Sequence, residues 1–444
     1  MIFQLIAILI ILVLLIVSIS RWKLHPFLAL ILAALFLGLL VGLDGKRTVE
    51  VLLDGFGSTM KWIAIVVILG AFIGEVLDRT GGAFRISEKI LKLVGQARLP
   101  WAMGLTGYIV SIPVFVDVAY ILFQPVTEAL AKRSKTPVLV VGLALTAGLT
   151  VSHTLMPPTP GPLAVAALLD ADIGRLLIIN SFVALFAVTG GVLWAKLYCK
   201  KFVLPLDKKP LSNEHDIKKI DENAKHKNIP ALMDLLPILI PILLMGTGTF
   251  FESDQRIFGR LLSFLSIPMV AVLIGAAIAA VQYVRVHKKT QFNELVESAI
   301  VKSALVIMIT GAGGAFGNVI RESGIQDSLG EYFSGLPYLG FLLPFIIAAV
   351  LTSATGSITV SLIGASSILG PMVSIMPYSP EMMAALIGCG SFCVFHANSS
   401  FFWLLNRLHD VPVNILYKTY TLQSLIMGLS GLAGIGILFL FGIH

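Results

Sequence analysis

The sequence predicts an all-α polytopic membrane protein, and three observations support this prediction. Hydrophobic residues make up 57% of the 444 positions. Charged residues make up only 13% of them, about half of the roughly 25% that soluble domains carry. The apolar positions are gathered into runs long enough for spanning helices, which need about 20 residues each.

Ten segments are predicted to cross the membrane, and two of these are broken near the middle. They are residues 2–20, 24–43, 61–79, 137–172, 174–198, 231–251, 257–285, 298–321, 380–408 and 420–441. The first segment has neither a basic start nor a small-residue cleavage site, so we expect a retained helix and not a signal peptide.

Two further apolar stretches, residues 100–131 and 335–376, each carry a polar or Pro/Gly break at the centre. Each stretch is either a pair of spans or a re-entrant hairpin that enters and leaves on one side. The positive-inside rule favours two hairpins, because this arrangement places 25 of the 32 Lys and Arg residues in the cytoplasm. Both chain ends are then expected outside the cytoplasm.

The one long polar segment, residues 199–230, holds eight Lys against five Asp or Glu residues. We interpret it as a flexible cytoplasmic linker between two membrane repeats, residues 1–198 and 231–444. Its basic residues contribute to the net charge of +7, which therefore requires no nucleic-acid partner.

The most strongly broken segment is SHTLMPPTPGP, residues 152–162. Its four prolines remove four backbone donors, and Pro inside a helix costs about 3 kcal/mol. We predict that one helix ends just after His153 and that another starts near Pro162, because Pro suits the first helical turn. Irregular backbone in an apolar segment is tolerated only when it is buried in protein or lines a watery cavity.

The two halves align when the chain is shifted along itself by 243 residues. The motif GEVLDRTG, beginning at Gly74, falls on GNVIRESG, and His153 falls on His396. Pro113 in the first hairpin break falls on Gly356 in the second. Five spans per half is an odd number, so we expect an inverted repeat with its site near the midplane.

Four blocks of sequence resemble the signature blocks of the gluconate permease (GntP, gluconate:proton symporter) family. They are GEVLDRTGG, IPVFVDVAY, HTLMPPTPGPLA and GSFCVFHANSSFFW. The resemblance covers nearly the whole chain, and the proline-rich block is its most specific part. The family is similar to the wider ion-transporter superfamily, whose elevator-type members have two re-entrant hairpins.

This resemblance implies import of a sugar acid by proton symport across the bacterial inner membrane, and a homodimer. Some members carry D-serine, so another small carboxylate, sodium coupling or a channel-like mode is the alternative. The chain departs from the family pattern at Ser399, where an Asp is usual, at Thr159, where a His is common, and at the bulkier Phe401.

A sugar acid is an anion, yet the presumed core lacks Lys and Arg. Helix N-termini can bind anions instead, since each carries about half a positive charge and free backbone donors. Polar side chains near the four breaks are predicted to add hydrogen bonds, unless they merely cap half-helices. These substrate-binding candidates are Ser111, His153, Thr154, Thr159, Thr352, Ser353, Thr355, Ser357, His396, Asn398, Ser399 and Ser400.

Ionisable side chains within the membrane are costly and usually functional. Asp117 follows the first hairpin break and has no cation near it in sequence, so it is our first candidate for proton coupling. Glu75 is the second candidate, although Arg79 lies one helical turn away and offers it a structural partner.

No P-loop, HExxH or GxSxG motif occurs, so we expect neither an enzyme nor an ATP-driven pump. An intramembrane hydrolase using Ser152 and the two histidines is a remote alternative. Closed hairpins and the lack of a charged ring disfavour a channel. We expect no cofactor, no metal site and no nucleic acid; the expected partners are the small carboxylate, protons and the lipid bilayer.

Overall fold

The computed structural model describes residues 2–95, 98–112, 116–202, 231–251, 257–286, 291–323, 337–397 and 399–443. Within these ranges the chain is helical and forms no strand. The predicted site residue Asn398, most of the linker and the centre of the first hairpin break lie outside the described residues.

Nine α-helices form the first half of the described chain. They are α1 (Ile2–Ser20), α2 (Pro26–Leu40), α3 (Gly45–Arg79), α4 (Gly82–Val94), α5 (Leu99–Val110), α6 (Val116–Ser134), α7 (Val138–Leu155), α8 (Pro160–Leu169) and α9 (Ile173–Leu197). A short 3-10 turn, Cys199–Lys201, follows α9.

The described second half contains ten further α-helices. They are α10 (Ala231–Phe251), α11 (Ile257–Ser266), α12 (Pro268–Val286), α13 (Phe292–Glu322), α14 (Pro337–Thr355), α15 (Ile358–Leu369), α16 (Pro380–Ser391), α17 (Ser400–His409), α18 (Val413–Leu416) and α19 (Leu422–Leu440). A 3-10 turn, Gly370–Ile375, follows α15, and a π-helical turn, Tyr417–Thr421, joins α18 to α19.

The proline-rich break separates α7 from α8. Helix α7 ends at Leu155, two residues later than predicted, and α8 begins at Pro160, two residues earlier. Every residue of α7 is buried, so this broken segment occupies the centre of the protein. The Asn180 side-chain amide donates a hydrogen bond of 2.7 Å to the Leu155 carbonyl, which the helix break leaves without an intrahelical partner.

The long helices α3 and α13 pack closely through small residues. A Cβ atom on Gly55 would lie 2.6 Å from the Gly314 carbonyl oxygen, and one on Gly311 would lie 2.6 Å from the Phe56 ring. Small residues allow membrane helices to approach in this way. The two halves are also joined by a buried ion pair, in which Arg85 donates two hydrogen bonds of 2.8 Å to Asp234.

One predicted span was wrong in detail. Residues 257–285 were expected to form a single helix, but the structure has α11 and α12 with a break at Ile267. Pro268 is the cause, because it cannot donate a backbone hydrogen bond and therefore begins the second helix.

By length and composition, six helices of the described ranges are able to cross a membrane. They are Val138–Leu169 taken through its break, Ile173–Lys201, Pro268–Arg285, Phe292–Glu322, Ile358–Ile375 and Val413–Leu440. A seventh results if the pair Gly45–Lys61 and Ala64–Arg79, bent by 42°, is one span. The ten-span count therefore stays a prediction.

Helix ends in the two halves occur at similar spacing. Helix α3 ends at Arg79 and α13 at Glu322, which are separated by the 243-residue shift of the sequence alignment. Both second half-helices, α8 and α17, end at an aspartate in the left-handed conformation, Asp170 and Asp410. The order of long helix, hairpin and broken helix is thus the same in both halves.

Candidate functional site

A cavity of about 180 Å³ is lined by described residues that flank the two hairpin breaks and by residues of the two broken segments. It draws side chains from each of these four regions and from the π-helical turn. The lining residues are Val116, Asp117, Thr150, His153, Gly356, Ser357, Ile358, Thr359, Phe395, Ser399, Ser400, Phe401 and Tyr420. Described residues next to all four breaks therefore line one cavity.

The first half supplies the ionisable groups of the cavity. Asp117 lies in the first turn of α6 and is exposed to the cavity space. Thr150 and His153 lie one helical turn apart on α7 and reach the cavity from the buried centre of the protein. Among the described residues that line the cavity, Asp117 is the one carboxylate, and none is Lys or Arg.

The second hairpin reaches the cavity through the N-terminus of α15. Gly356 turns the chain with a φ of +72°, a left-handed conformation that side chains other than glycine rarely adopt. Ser357 then caps the helix, because its hydroxyl accepts a hydrogen bond of 3.4 Å from the Val360 amide. Thr359, in the first turn of α15, also lines the cavity.

The second broken helix completes the wall. Ser399 precedes α17, and Ser400 and Phe401 form its first turn. The Tyr420 hydroxyl is hydrogen-bonded to Ser399 and lies within electrostatic range of Asp117. The Phe395 and Tyr420 rings stack with centroids 5.8 Å apart, which gives the cavity one flat aromatic side.

The N-termini of α6, α15 and α17 therefore all contribute lining residues to one small volume. A helix N-terminus presents free backbone N–H groups and a partial positive charge, so it binds anions without a basic side chain. The cavity consequently combines three anion-attracting helix ends with one carboxylate and several hydroxyl groups. This combination suits a small polar ligand with a negatively charged group.

Five of the predicted site residues line the cavity. They are Asp117, His153, Ser357, Ser399 and Ser400. Three of the others are not among the lining residues, and their hydroxyls bond to the backbone. Thr154 donates to the Thr150 carbonyl at 2.7 Å, Thr355 to Leu351 at 2.7 Å, and Thr159 to Met156.

The remaining predicted residues support the second broken helix or lie elsewhere. The Thr352 hydroxyl donates to the Ser391 carbonyl at 2.8 Å. The His396 Nε2 atom is 2.9 Å from the Ser353 carbonyl oxygen. Ser111 is buried at the end of α5 and is not among the lining residues. His153 and His396, although equivalent in the sequence repeat, thus have different surroundings.

Glu75 does not reach the cavity. Its carboxylate is 2.9 Å from the Arg79 guanidinium, accepts a hydrogen bond of 2.9 Å from Ser298, and pairs with Lys302. These contacts tie α3 to α13. The geometry therefore favours the structural alternative for Glu75.

Sequence reasoning missed Thr150, Thr359, Phe395, Phe401 and Tyr420 as lining residues. A signal existed for the first two, since Thr150 lies one turn before His153 and Thr359 follows the second hairpin break. Tyr420 offered no such signal, because it lies next to an apolar span without a proline or glycine break nearby.

The model of the GntP family permease matches residues 3–441 of this chain. The chain belongs to the GntP permease family. An uncharacterized permease of Haemophilus influenzae is 34% identical, covering 94% of this chain and 88% of its own. The gluconate permease of Pseudomonas aeruginosa is 31% identical, with 94% and 93% covered. The D-serine transporter DsdX of Escherichia coli strain CFT073 is 33% identical, with 95% of each chain covered.

The fold is similar to that of MtrF of Neisseria gonorrhoeae, a member of a class of antimetabolite efflux pumps. The TM-score is 0.71 at 11% identity, covering 97% of both chains. The family and the apolar helices together make this chain a multi-pass membrane permease that transports a small molecule, and not an enzyme.

Proposed function

We propose that this permease imports a sugar acid such as gluconate together with a proton across the bacterial inner membrane. The observation that carries the proposal is the cavity where the N-termini of α6, α15 and α17 meet beside Asp117. Its volume of about 180 Å³ is below the roughly 300–1,000 Å³ of pockets for drug-sized ligands. A cavity of this size suits a molecule smaller than a typical drug, such as a six-carbon hydroxy acid.

The proposed coupling follows from charge. The helix ends attract the carboxylate of the substrate, and the hydroxyls of Ser357, Thr359, Ser399 and Ser400 bond to its hydroxyl groups. Two negative charges in a small cavity repel each other. An anionic substrate therefore binds more tightly when Asp117 carries a proton, and substrate and proton move together.

Transport of D-serine is the second candidate, and the carboxylate of Asp117 in the cavity favours it. An amino acid is a zwitterion, so its carboxylate would bind at the helix ends while its ammonium group pairs with ionised Asp117. In this case Asp117 binds substrate directly. Neutralising Asp117 would then remove substrate binding, whereas gluconate binding would persist.

The helix order supports a proposal for how the two halves of the transporter are arranged. The second arms of the two hairpins and both broken segments contribute residues that line the cavity, whereas α3 and α13 contribute none and pack against each other. We propose that the two membrane repeats, residues 1–198 and 231–444, are inverted, that both hairpins are re-entrant, and that two chains form a homodimer. Residues 199–230 then form a cytoplasmic linker.

A panel of uptake measurements tests the proposed function. Purified protein is reconstituted into vesicles and offered labelled gluconate, D-serine and glycerate under an imposed pH gradient or an imposed sodium gradient. We expect gluconate to accumulate under the pH gradient and an uncoupler to abolish the accumulation. Accumulation that follows only the sodium gradient, or accumulation of D-serine alone, would contradict the proposal.

A further inference from the structure

Ionisable and polar side chains continue from the cavity along one side of α6. Asp117, Tyr120, Gln124 and Glu128 are spaced three, four and four residues apart, so they share one face of the helix. The row extends over about 16 Å at 1.5 Å per residue. Nothing in the proposed binding of substrate requires the part of this row beyond Asp117.

His409, at the end of α17, joins the row from a different helix. Its Nε2 atom is 2.8 Å from the Tyr120 hydroxyl, within hydrogen-bonding distance. Its Nδ1 atom is 3.4 Å from a Glu128 carboxylate oxygen but is not aligned for a hydrogen bond, so proton transfer there requires a small reorientation of the ring. The Gln124 amide donates a hydrogen bond of 3.0 Å to the same oxygen. The His409 side chain is only 1% exposed, so this is a buried cluster and not a solvated surface pair.

The cluster lies directly behind the cavity wall. The Tyr120 ring packs edge-on against the ring of Phe401, a lining residue, with centroids 5.2 Å apart. On the opposite side, α7 has a glycine at the point of contact. A Cβ atom at Gly142 would collide with the Tyr120 hydroxyl and would lie 3.7 Å from the His409 Nε2 atom. The absence of a side chain at Gly142 thus leaves room for the hydrogen bond.

The far end of the cluster is partly exposed. The Glu128 side chain is 22% exposed, unlike that of His409. Lys132 and Arg133 follow in the last turn of α6, on the side that the positive-inside rule assigns to the cytoplasm. The row therefore connects a cavity carboxylate to the membrane face where a symporter must release its proton.

We propose that Tyr120, His409 and Glu128 form a proton path from Asp117 to the cytoplasmic end of α6. This inference rests on the proposed proton symport and assigns the route by which the proton leaves the cavity. Asp117 and Tyr120 lie one helical turn apart on the same face of α6, and in the proposed path water carries the proton between the two side chains.

The transfer conserves protons and requires no further reactant. The Tyr120 hydroxyl passes its proton to Nε2 of His409 while it accepts one from the Asp117 side. The imidazole then releases its Nδ1 proton to the Glu128 carboxylate, and Glu128 releases it to water. Rotation of the imidazole ring restores the starting tautomer. One proton has then moved along the path for each proton that left Asp117.

Other charged groups near His409 are few within the described residues. On α6, the positive charge of Lys132 attracts the Glu128 carboxylate. On its own helix, Arg407 precedes His409, and Asp410 follows it. Helix α18 carries no ionisable residue, and the one on α7, His153, lies at the cavity. Glu128 and Lys132 are therefore the main charged groups of α6 beside this cluster.

The test uses full-length protein in vesicles that contain a pH-sensitive dye. Gluconate and, in parallel, D-serine are added outside, and two rates are measured: substrate-driven internal acidification and counterflow of labelled substrate.

His409→Gln preserves hydrogen bonding but cannot carry a proton. We expect it to slow acidification by at least about tenfold while counterflow remains, and to remove the dependence of acidification on internal pH. His25→Gln, at an exposed helix start, is the matched control and is expected to behave like the wild type.

Two further variants make smaller changes in the same cluster, in case His409→Gln does not fold. Tyr120→Phe removes one hydroxyl and Glu128→Gln removes one charge, and both should slow acidification while counterflow continues. If His409→Gln acidifies vesicles like the wild type, the path is wrong and proton symport still stands. If the two rates fall together in all three variants, the cluster is structural and the path is also overturned. If the wild type shows no acidification, or exchanges neither substrate, the proposed function fails and the path fails with it.

Discussion

The second arms of the two hairpins, α6 and α15, both begin at the cavity but differ in chemistry. Helix α6 places Asp117 in its first turn and carries Glu128, Lys132 and Arg133 further along. Helix α15, with the sequence ITVSLIGASSIL, has no ionisable residue. Its polar groups are hydroxyls, of which Ser357 and Thr359 line the cavity. The comparison separates two tasks: the first hairpin carries charge, and the second provides a helix end and hydrogen bonds.

The two histidines that are equivalent in the repeat extend the comparison to the two broken segments, where the largest effect is expected. His153 lines the cavity, whereas His396 is bonded to the Ser353 carbonyl. We expect His153→Ala to weaken gluconate binding by about 10- to 100-fold, because a hydrogen bond to a charged group contributes about 1.5–3 kcal/mol. His396→Ala is the comparison variant and should lower thermal stability more than affinity. Equilibrium binding measured by calorimetry checks both, and equal losses of affinity would contradict the assignment.

A serine at the start of α15 tests the role of the second hairpin. Ser357→Ala removes both the cap of the helix and a cavity hydroxyl, and loss of a cap costs about 0.5–2 kcal/mol. We expect gluconate affinity to fall several-fold while the ratio of protons to substrate is unchanged. Ser367→Ala, on the same helix but bonded to the Ile363 carbonyl, should retain wild-type affinity in the same binding assay. A changed ratio of protons to substrate in Ser357→Ala would contradict the view that the second hairpin contributes hydrogen bonds and not proton coupling.

Substitution of Glu75 is expected to have the smallest effect on transport. Its partners Arg79 and Lys302 are partly exposed, so Glu75→Gln should destabilise the protein by less than the about 3–5 kcal/mol that breaking a fully buried pair costs. We expect a lower thermal unfolding temperature in detergent with the proton-to-substrate ratio unchanged. Asp54→Asn, at an exposed position on the same helix, is the control. Loss of coupling in Glu75→Gln would make Glu75 the coupling acid.

The positions of the breaks were predictable from sequence because proline and glycine act through the backbone. The proline block ended α7 within two residues of the expected place, and Gly356 occupies a turn that needs a positive φ. Such effects are local, so no knowledge of the packing was needed. Residues beside all four breaks line one cavity, in agreement with a site between two repeats, which stays a prediction.

The direction of individual side chains was not predictable in the same way. Thr154 and Thr355 turn their hydroxyls back to carbonyls four residues earlier, a choice that depends on neighbouring packing. Tyr420 reaches the cavity from a turn with no break in its sequence. The pairing of Tyr120 with His409 joins residues 289 positions apart, so only the tertiary structure brings them together.

Asp117 is the residue proposed to couple the proton to the substrate, and its role is open to a direct test. The direct measurement is the accumulation of labelled gluconate under a pH gradient, compared with gluconate counterflow, in wild type and in Asp117→Asn. The amide keeps the shape and the hydrogen bonding of the side chain but cannot carry a proton. We predict that Asp117→Asn abolishes accumulation and retains counterflow. Accumulation at the wild-type level in this variant would contradict the account.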